Sequence, residues 1–499
     1  MEGLTNTAIL WRGGGAGGSV NSGYPPAKCT NFVAKVKNNA IELTWNDPVD
    51  IASDNIIVKW ERSVVVRKVG SYPTSEKDGV IIVSNIIRNQ YATNPYIDNS
   101  VVLNTTYYYA VFSCSDEGVY NRELVTASAT PISYKIMTVR IDFNNSDPTK
   151  CGSYEDDAVG MYHGKQVAEW DKFFGYKPCL FKDGKVVGYL NPNDYGKFAD
   201  GRTADITSGN AGDVMVEFPR RGLKISKSGK ILTVSMTDDP NNPEFTYYAH
   251  TRGSANKDYF YMGAYLAYVD KYGDAKLRSI SGQQPTISDY SASLSDFRRY
   301  AKNTGSDYIN TGFYQFLFLQ CMYLLQYKGN LDSQRSHGDG FCQNGVVSGQ
   351  HRNTGGADKR GMMYGAGDFE QIKIFGIEDL WGNLDWVVDG YYVDSNYNIL
   401  TATDNYNDSG SGYKNNGSTV KKNMSGYIKD ITGNAETGFT PINMDGSSST
   451  YFCDYGMIFN GQGPRVGGCG NRYGDAGIFY FFTIKPTNSG GACGRLGYL

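Results

Sequence analysis

The sequence predicts a multidomain, mainly β protein that ends in an α+β segment. Three observations carry this. At 499 residues the chain exceeds one ordinary hydrophobic core. Apolar residues alternate with period two through most of residues 24–141. Helical periodicity is confined to two later stretches, 291–302 and 311–327. Composition narrows the class further. The 60 Gly follow no G-X-Y period, which excludes a collagen-like chain. The 39 Tyr and 23 Phe offer enough apolar surface to offset chain entropy, which argues against disorder. With 48 Lys+Arg against 51 Asp+Glu, net charge −3, no basic field invites nucleic acid.

The elements follow in order. Residues 1–22 hold a short apolar stretch, Ala8–Trp11, and the run Gly13–Gly18, and read as an N-terminal anchor and tether. In residues 23–133, Ile41, Leu43 and Trp45 share one strand face, Ile56, Val58 and Trp60 repeat the alternation, and Tyr107, Tyr109 and Val111 follow. An early-strand Trp with a late T-x-Y-x-Y-x-V strand resembles a fibronectin type III sandwich, with Tyr107 as its tyrosine corner. Trp45-Asn46-Asp47 matches part of a calcium-ligand signature but stands at a strand end before Pro48, without the E-P-N or Q-P-D tripeptide that accompanies it. Residues 134–208 read as a separate β-rich module with a turn at Lys182–Lys185 and a small core of Trp170, Phe173 and Phe174. Residues 209–499 form the last domain. Serines cap its first helix, the second is apolar all round and so buried, and the polar tract 394–417 is an exposed loop or hairpin.

Little in the chain points to catalysis. The four His form no H-E-x-x-H or H-x-x-x-H pair, and neither a nucleophile elbow nor a phosphate-binding loop occurs. Asp394–Asn398 mimics half of a calcium loop and lacks its Gly and closing Glu. The expectation is no catalytic residue, no metal and no cofactor. Nine scattered Cys read as reduced and buried, with a bridge among Cys453, Cys469 and Cys493 left open. No apolar run reaches the roughly 18 residues of a membrane span, and the first residues do not read as a secretion signal.

Two motifs stand out near the end: Gly376–Val387, with Asp379, Trp381, Gly382, Asn383 and Trp386, and the terminal set Gly467-Gly468-Cys469, Ala476–Phe479 and Gly494-Arg495-Leu496. Together they resemble the C-type lectin-like fold in its formylglycine-generating-enzyme variant, over about 209–499. The resemblance implies that Asp379 and Asn383 tie loops, that Trp381 and Trp386 are core, and that Arg495 pairs inward. The chain departs from the pattern by one residue before Trp386, carries Asp385 for Glu, and lacks the enzymes' active cysteines and three-His site.

What remains is the resemblance to phage tail receptor-binding proteins, including tropism determinants diversified by retroelements. It implies a tail-tip or fibre adhesin, assembled in a host cytoplasm and carried on the virion. Its partners would be a host-cell surface receptor, protein or glycan, and other tail proteins through the N-terminus. A homotrimer is implied; nucleic acid and membrane insertion are not. The expected ligand-binding residues are Tyr455, Asn460, Asn471, Tyr473, Asp475, Tyr480, Phe482, Lys485, Thr487 and Asn488. Tyr gives a large contact face at low torsional cost, while Asn and Asp hydrogen-bond in many geometries. The alternatives are a formylglycine-generating-type oxidase or sulfoxide synthase, and a purely structural virion protein.

Overall fold

The computed structural model describes residues 20–21, 23–53, 56–286, 293–342, 351–367, 370–460, 463–469, 472–484 and 492–499. The anchor expected at 1–22 lies outside them, apart from Val20 and Asn21. The chain divides into two units, Met1–Tyr134 and Lys135–Leu499.

In the first unit, alternation becomes two main sheets with a shared core, and Val20–Asn21, Ile56–Val58 and Ile51–Ser53 form a further small sheet. Its main strands are β1 (Thr30–Lys37), β2 (Ala40–Asn46), β3 (Trp60–Val69), β4 (Val80–Asn85), β5 (Tyr96–Asp98), β6 (Tyr107–Ser115) and β7 (Thr126–Ala129). They form a three-stranded sheet ordered β1-β2-β5 and a four-stranded sheet ordered β7-β6-β3-β4. Ile41, Leu43 and Trp45 of β2 cluster with Val65 of β3 and Tyr107, Tyr109 and Val111 of β6. The Tyr107 hydroxyl accepts from the Val102 amide at 3.0 Å, pinning the turn that enters β6. Asp47 is a structural tie: its carboxylate accepts from Trp45 Nε1 (2.8 Å), Ser63 Oγ (2.6 Å) and the Asn89 amide (2.7 Å).

The second unit opens with β8 (Ile136–Asp142), β9 (Gly152–Asp156), α1 (Ala168–Phe174), β10 (Lys177–Lys182), β11 (Lys185–Asn191) and β12 (Asp194–Phe198). β13 (Asp213–Pro219), β14 (Gly222–Ser228), β15 (Ile231–Thr237), β16 (Tyr259–Gly263), α2 (Leu294–Thr304), β17 (Tyr308–Asn310) and α3 (Phe313–Gln326) follow. The last third supplies β18 (Trp386–Val387), β19 (Tyr391–Val393), β20 (Asn398–Thr401), β21 (Lys414–Thr419) and β22 (Met424–Tyr427). It closes with β23 (Tyr455–Ile458), β24 (Gly463–Gly467), β25 (Gly477–Ile484) and β26 (Leu496–Tyr498). The larger sheets run β12-β11-β10-β13-β16-β26-β17, β18-β24-β25-β23-β22, β9-β8-β15-β14 and β19-β20-β21.

Every residue of α3 is buried. Phe318 meets Phe218 and Phe260 of the seven-stranded sheet, while Phe316 meets Trp386 and Tyr323 meets Phe479 of the five-stranded one. An all-round apolar helix is the sequence solution for an element covered on every side.

The separate module expected at 134–208 is corrected. β10, β11 and β12 share a sheet with β13, β16 and the C-terminal β26, and Phe174 packs on Phe375 at 5.7 Å. Periodicity shows which strand face is buried; it does not show that its cover comes from far downstream. The tract 394–417 is a hairpin, β20 with β21, and is more embedded than its polarity suggests: Ile399, Thr401 and Tyr413 are buried.

Candidate functional site

The segment 376–387 builds a rigid floor. Asp379, Gly382 and Asn383 take positive φ values of 51°, 77° and 52°, so the chain folds tightly back on itself. Asp379 Oδ2 accepts from Gln371 Nε2 (2.7 Å) and Asn383 Nδ2 (2.6 Å). Glu378 accepts from the Gly355 and Ala357 amides at 2.8 and 2.7 Å. Arg495 is fully buried and donates to the carbonyls of Gly263 (3.1 Å), Glu378 and Asp379 (both 2.9 Å), its guanidinium over the Trp386 ring at 4.9 Å. Burial pushes both Glu378 and Asp379 above the ordinary carboxylate range, and the Asp379 charge adds to the rise of Glu378. Trp381 and Trp386 are fully buried. The loop-tying, core and inward-pairing roles expected of these residues are thus present in the structure.

Above this floor the five-stranded sheet has one face in the core, and on the other face Tyr427, Tyr455, Met457, Arg465 and Phe482 are partly exposed. On β23, Gly456 and Ile458 are buried while Tyr455 and Met457 are partly exposed. The register sets Tyr427 opposite Tyr455 and Ser425 opposite Met457; Met457 pairs with Phe482, and Phe482 with Arg465. The Tyr427 and Tyr455 rings meet edge-on at 5.6 Å, and Tyr427 donates its hydroxyl to Asp475 at 2.7 Å. Arg465 lies over the Phe482 ring at 5.8 Å and reaches Asp385 at 3.4 Å. The result is a band of aromatic, thioether and cationic groups across four strands, with exposed Asn460 at the end of β23.

Of the expected ligand residues, the structure brings Tyr455, Asp475 and Phe482 to this face, with Asn460 beside it. Tyr480 is corrected: it is 1% exposed and cannot offer its ring to a partner. It has the same strand parity as Phe482, but Arg472 lies over its ring at 5.9 Å, and its hydroxyl is buried without a hydrogen-bond partner. Tyr473 lies in a 3-10 turn, Tyr473–Asp475. Asn471, Lys485, Thr487 and Asn488 lie outside the described residues. Tyr427, Met457 and Arg465 were missed. The alternation Tyr455-Gly456-Met457-Ile458 marks Met457 as outward; nothing local marks Tyr427, which joins the face only through long-range pairing.

Burial raises Asp385, with Arg465 and Arg472 opposing the shift. Among the described residues no group of three His, Cys, Asp or Glu could hold a metal ion. His250 and His337 are buried, and burial lowers each to about 3. The nine cysteines carry no disulfide; all are buried except Cys469, which is partly exposed. No helix among the described residues is long and apolar enough to cross a membrane.

No family model matches the chain. No curated protein matches it either. Among solved structures, the chain is similar to a Fn3-like protein from Clostridium thermocellum, at 24% identity over 22% of this chain and 95% of that one, with a TM-score of 0.16.

Proposed function

We propose that this chain is a phage tail or fibre adhesin. In this reading a fibronectin type III-like domain is the spacer, and a C-type lectin-like unit carries the head that binds a host-cell surface receptor. The observation that carries it is the outward band of Tyr427, Tyr455, Met457, Phe482 and Arg465 on a sheet whose other face is locked in the core. Aromatic and Arg anchors on a rigid platform lose little entropy when a partner settles on them. The buried motif network below supports a fixed frame beneath a recognition surface. Presentation as a homotrimer joined through the N-terminus to other tail proteins would raise avidity without further contacts. Diversification by a retroelement would concentrate changes in 453–493 among isolates.

The test is adsorption of particles carrying Tyr427→Ala or Tyr455→Ala. Each variant should assemble normally and bind host cells about tenfold less well, the loss typical of one aromatic anchor. Full adsorption by both would sink the reading. Failure to assemble would favour a purely structural virion protein.

A further inference from the structure

A concave site separate from the sheet face lies on the hairpin that polarity alone marks as exposed. A cavity of about 380 Å3 is bounded by the loop joining β20 to β21, by Tyr248 and Tyr314, and by Glu436. That volume falls within the roughly 300–1,000 Å3 of small-molecule pockets. Tyr314, from the buried helix α3, forms the base; its hydroxyl donates to Thr401 Oγ1 at 2.9 Å. The Tyr248 ring rests on it at 4.9 Å and is partly exposed. Thr403 and Asp404 are partly exposed, and Asn405 and Lys414 exposed, around the opening.

The wall is preorganised. Asn407 Oδ1 accepts from the amides of Ser409 and Ser411, both at 3.1 Å, and its Nδ2 donates to the carbonyls of Ser411 (2.9 Å) and Asn405 (3.1 Å). The Asn407 amide donates to the Tyr413 hydroxyl at 2.8 Å. Arg298 bridges Asp408 on the same loop to buried Asp389. A loop tied at this many points holds its polar groups in place before any ligand arrives.

The lining selects a chemistry. The lining's charges nearly balance: Asp404 and Glu436 stand with Lys414, and Arg252 is engaged with Asp307 at 2.9 Å and Asp404 at 3.6 Å, so the pocket offers no surplus cation to a phosphate or other anion. An apolar ligand would leave the carboxylates, hydroxyls and amide desolvated and unpaired. A ring with one C–H face and a rim of hydroxyls fits both features: the face lies on an aromatic ring, and the rim donates to carboxylates and amide oxygens. We propose that this pocket binds a neutral saccharide, its C–H face on Tyr248 and its hydroxyls at Thr403, Asp404, Asn405 and Glu436. This goes beyond the receptor reading of the sheet face and does not depend on it.

Saturation-transfer NMR and calorimetry of the full chain with galactose, N-acetylglucosamine, lactose and chitobiose test the proposal. At least one sugar should bind, and Tyr248→Ala and Asp404→Asn should each weaken it about tenfold. Asp404 is a partly exposed loop side chain, so its amide variant keeps the fold even where loss of the Tyr248 ring loosens it. No binding by any of the four sugars overturns the proposal. So does wild-type binding in both variants, or displacement of the sugar by inorganic phosphate.

Discussion

At the scale of single residues, the second unit is held by polar groups sealed away from water, and their protonation is part of its stability. His337 is the clearest case. Its Nε2 lies 3.0 Å from the Tyr364 carbonyl and 3.1 Å from that of Lys373, while its Nδ1 is 2.6 Å from the Tyr327 hydroxyl. A proton on Nε2 satisfies the carbonyls and leaves Nδ1 to accept from Tyr327. Burial, aided by Lys165, lowers His337 to about 3, below the ordinary value near 6.5. The unfolded chain therefore takes up this proton first, so the contribution is intact above about pH 6.5 and is lost as pH falls towards 3. In urea unfolding, the stability difference between wild type and His337→Gln should move against the wild type by about 1.4 kcal/mol per pH unit over that window. A pH-independent difference would refute the neutral buried imidazole. None of this is visible in a lone His within a Gly-rich stretch. Arg495 and Asp379 were legible in the sequence because a spaced motif flanked them, whereas no motif marks His337.

At the scale of elements, helices and strand faces were readable where local chemistry decides them. The serine-rich lead into α2 predicts a cap, and the structure places it at Ser293: Asp296 Oδ2 accepts the Ser293 amide (2.8 Å) while Ser293 Oγ accepts the Asp296 amide (3.3 Å). Ser293→Ala should lower stability by about 1 kcal/mol, measurable by denaturant unfolding; no change would mean the helix start does not depend on this box. The outer sheet face was half readable. Tyr455 and Phe482, expected as ligand contacts, lie at partly exposed strand positions. Tyr480 shares the strand parity of Phe482, yet it is buried, with Arg472 over its ring. Parity assigns a side chain to a face, but cover depends on what lies across that face.

At the scale of the whole molecule, the chain is two units rather than the three folded domains that composition and turn spacing suggest. Heating should give two cooperative transitions, read by calorimetry. Deleting Leu496–Leu499 should lower only the larger one, because β26 lies between β16 and β17 and closes the seven-stranded sheet. A single transition, or no effect of the deletion, would contradict that division. The sequence alone determined the β character, the alternating core of the first unit and the two helices, since periodicity and capping act over a few residues; the buried roles of Trp381, Trp386 and Arg495 came from the motif resemblance. Only the tertiary structure decided that 134–208 belongs with the C-terminus, that Tyr427 joins Tyr455, that Tyr480 is covered, and that the polar hairpin walls a pocket. Those outcomes depend on pairings between residues far apart in the chain, and local patterning leaves the choice of partner open.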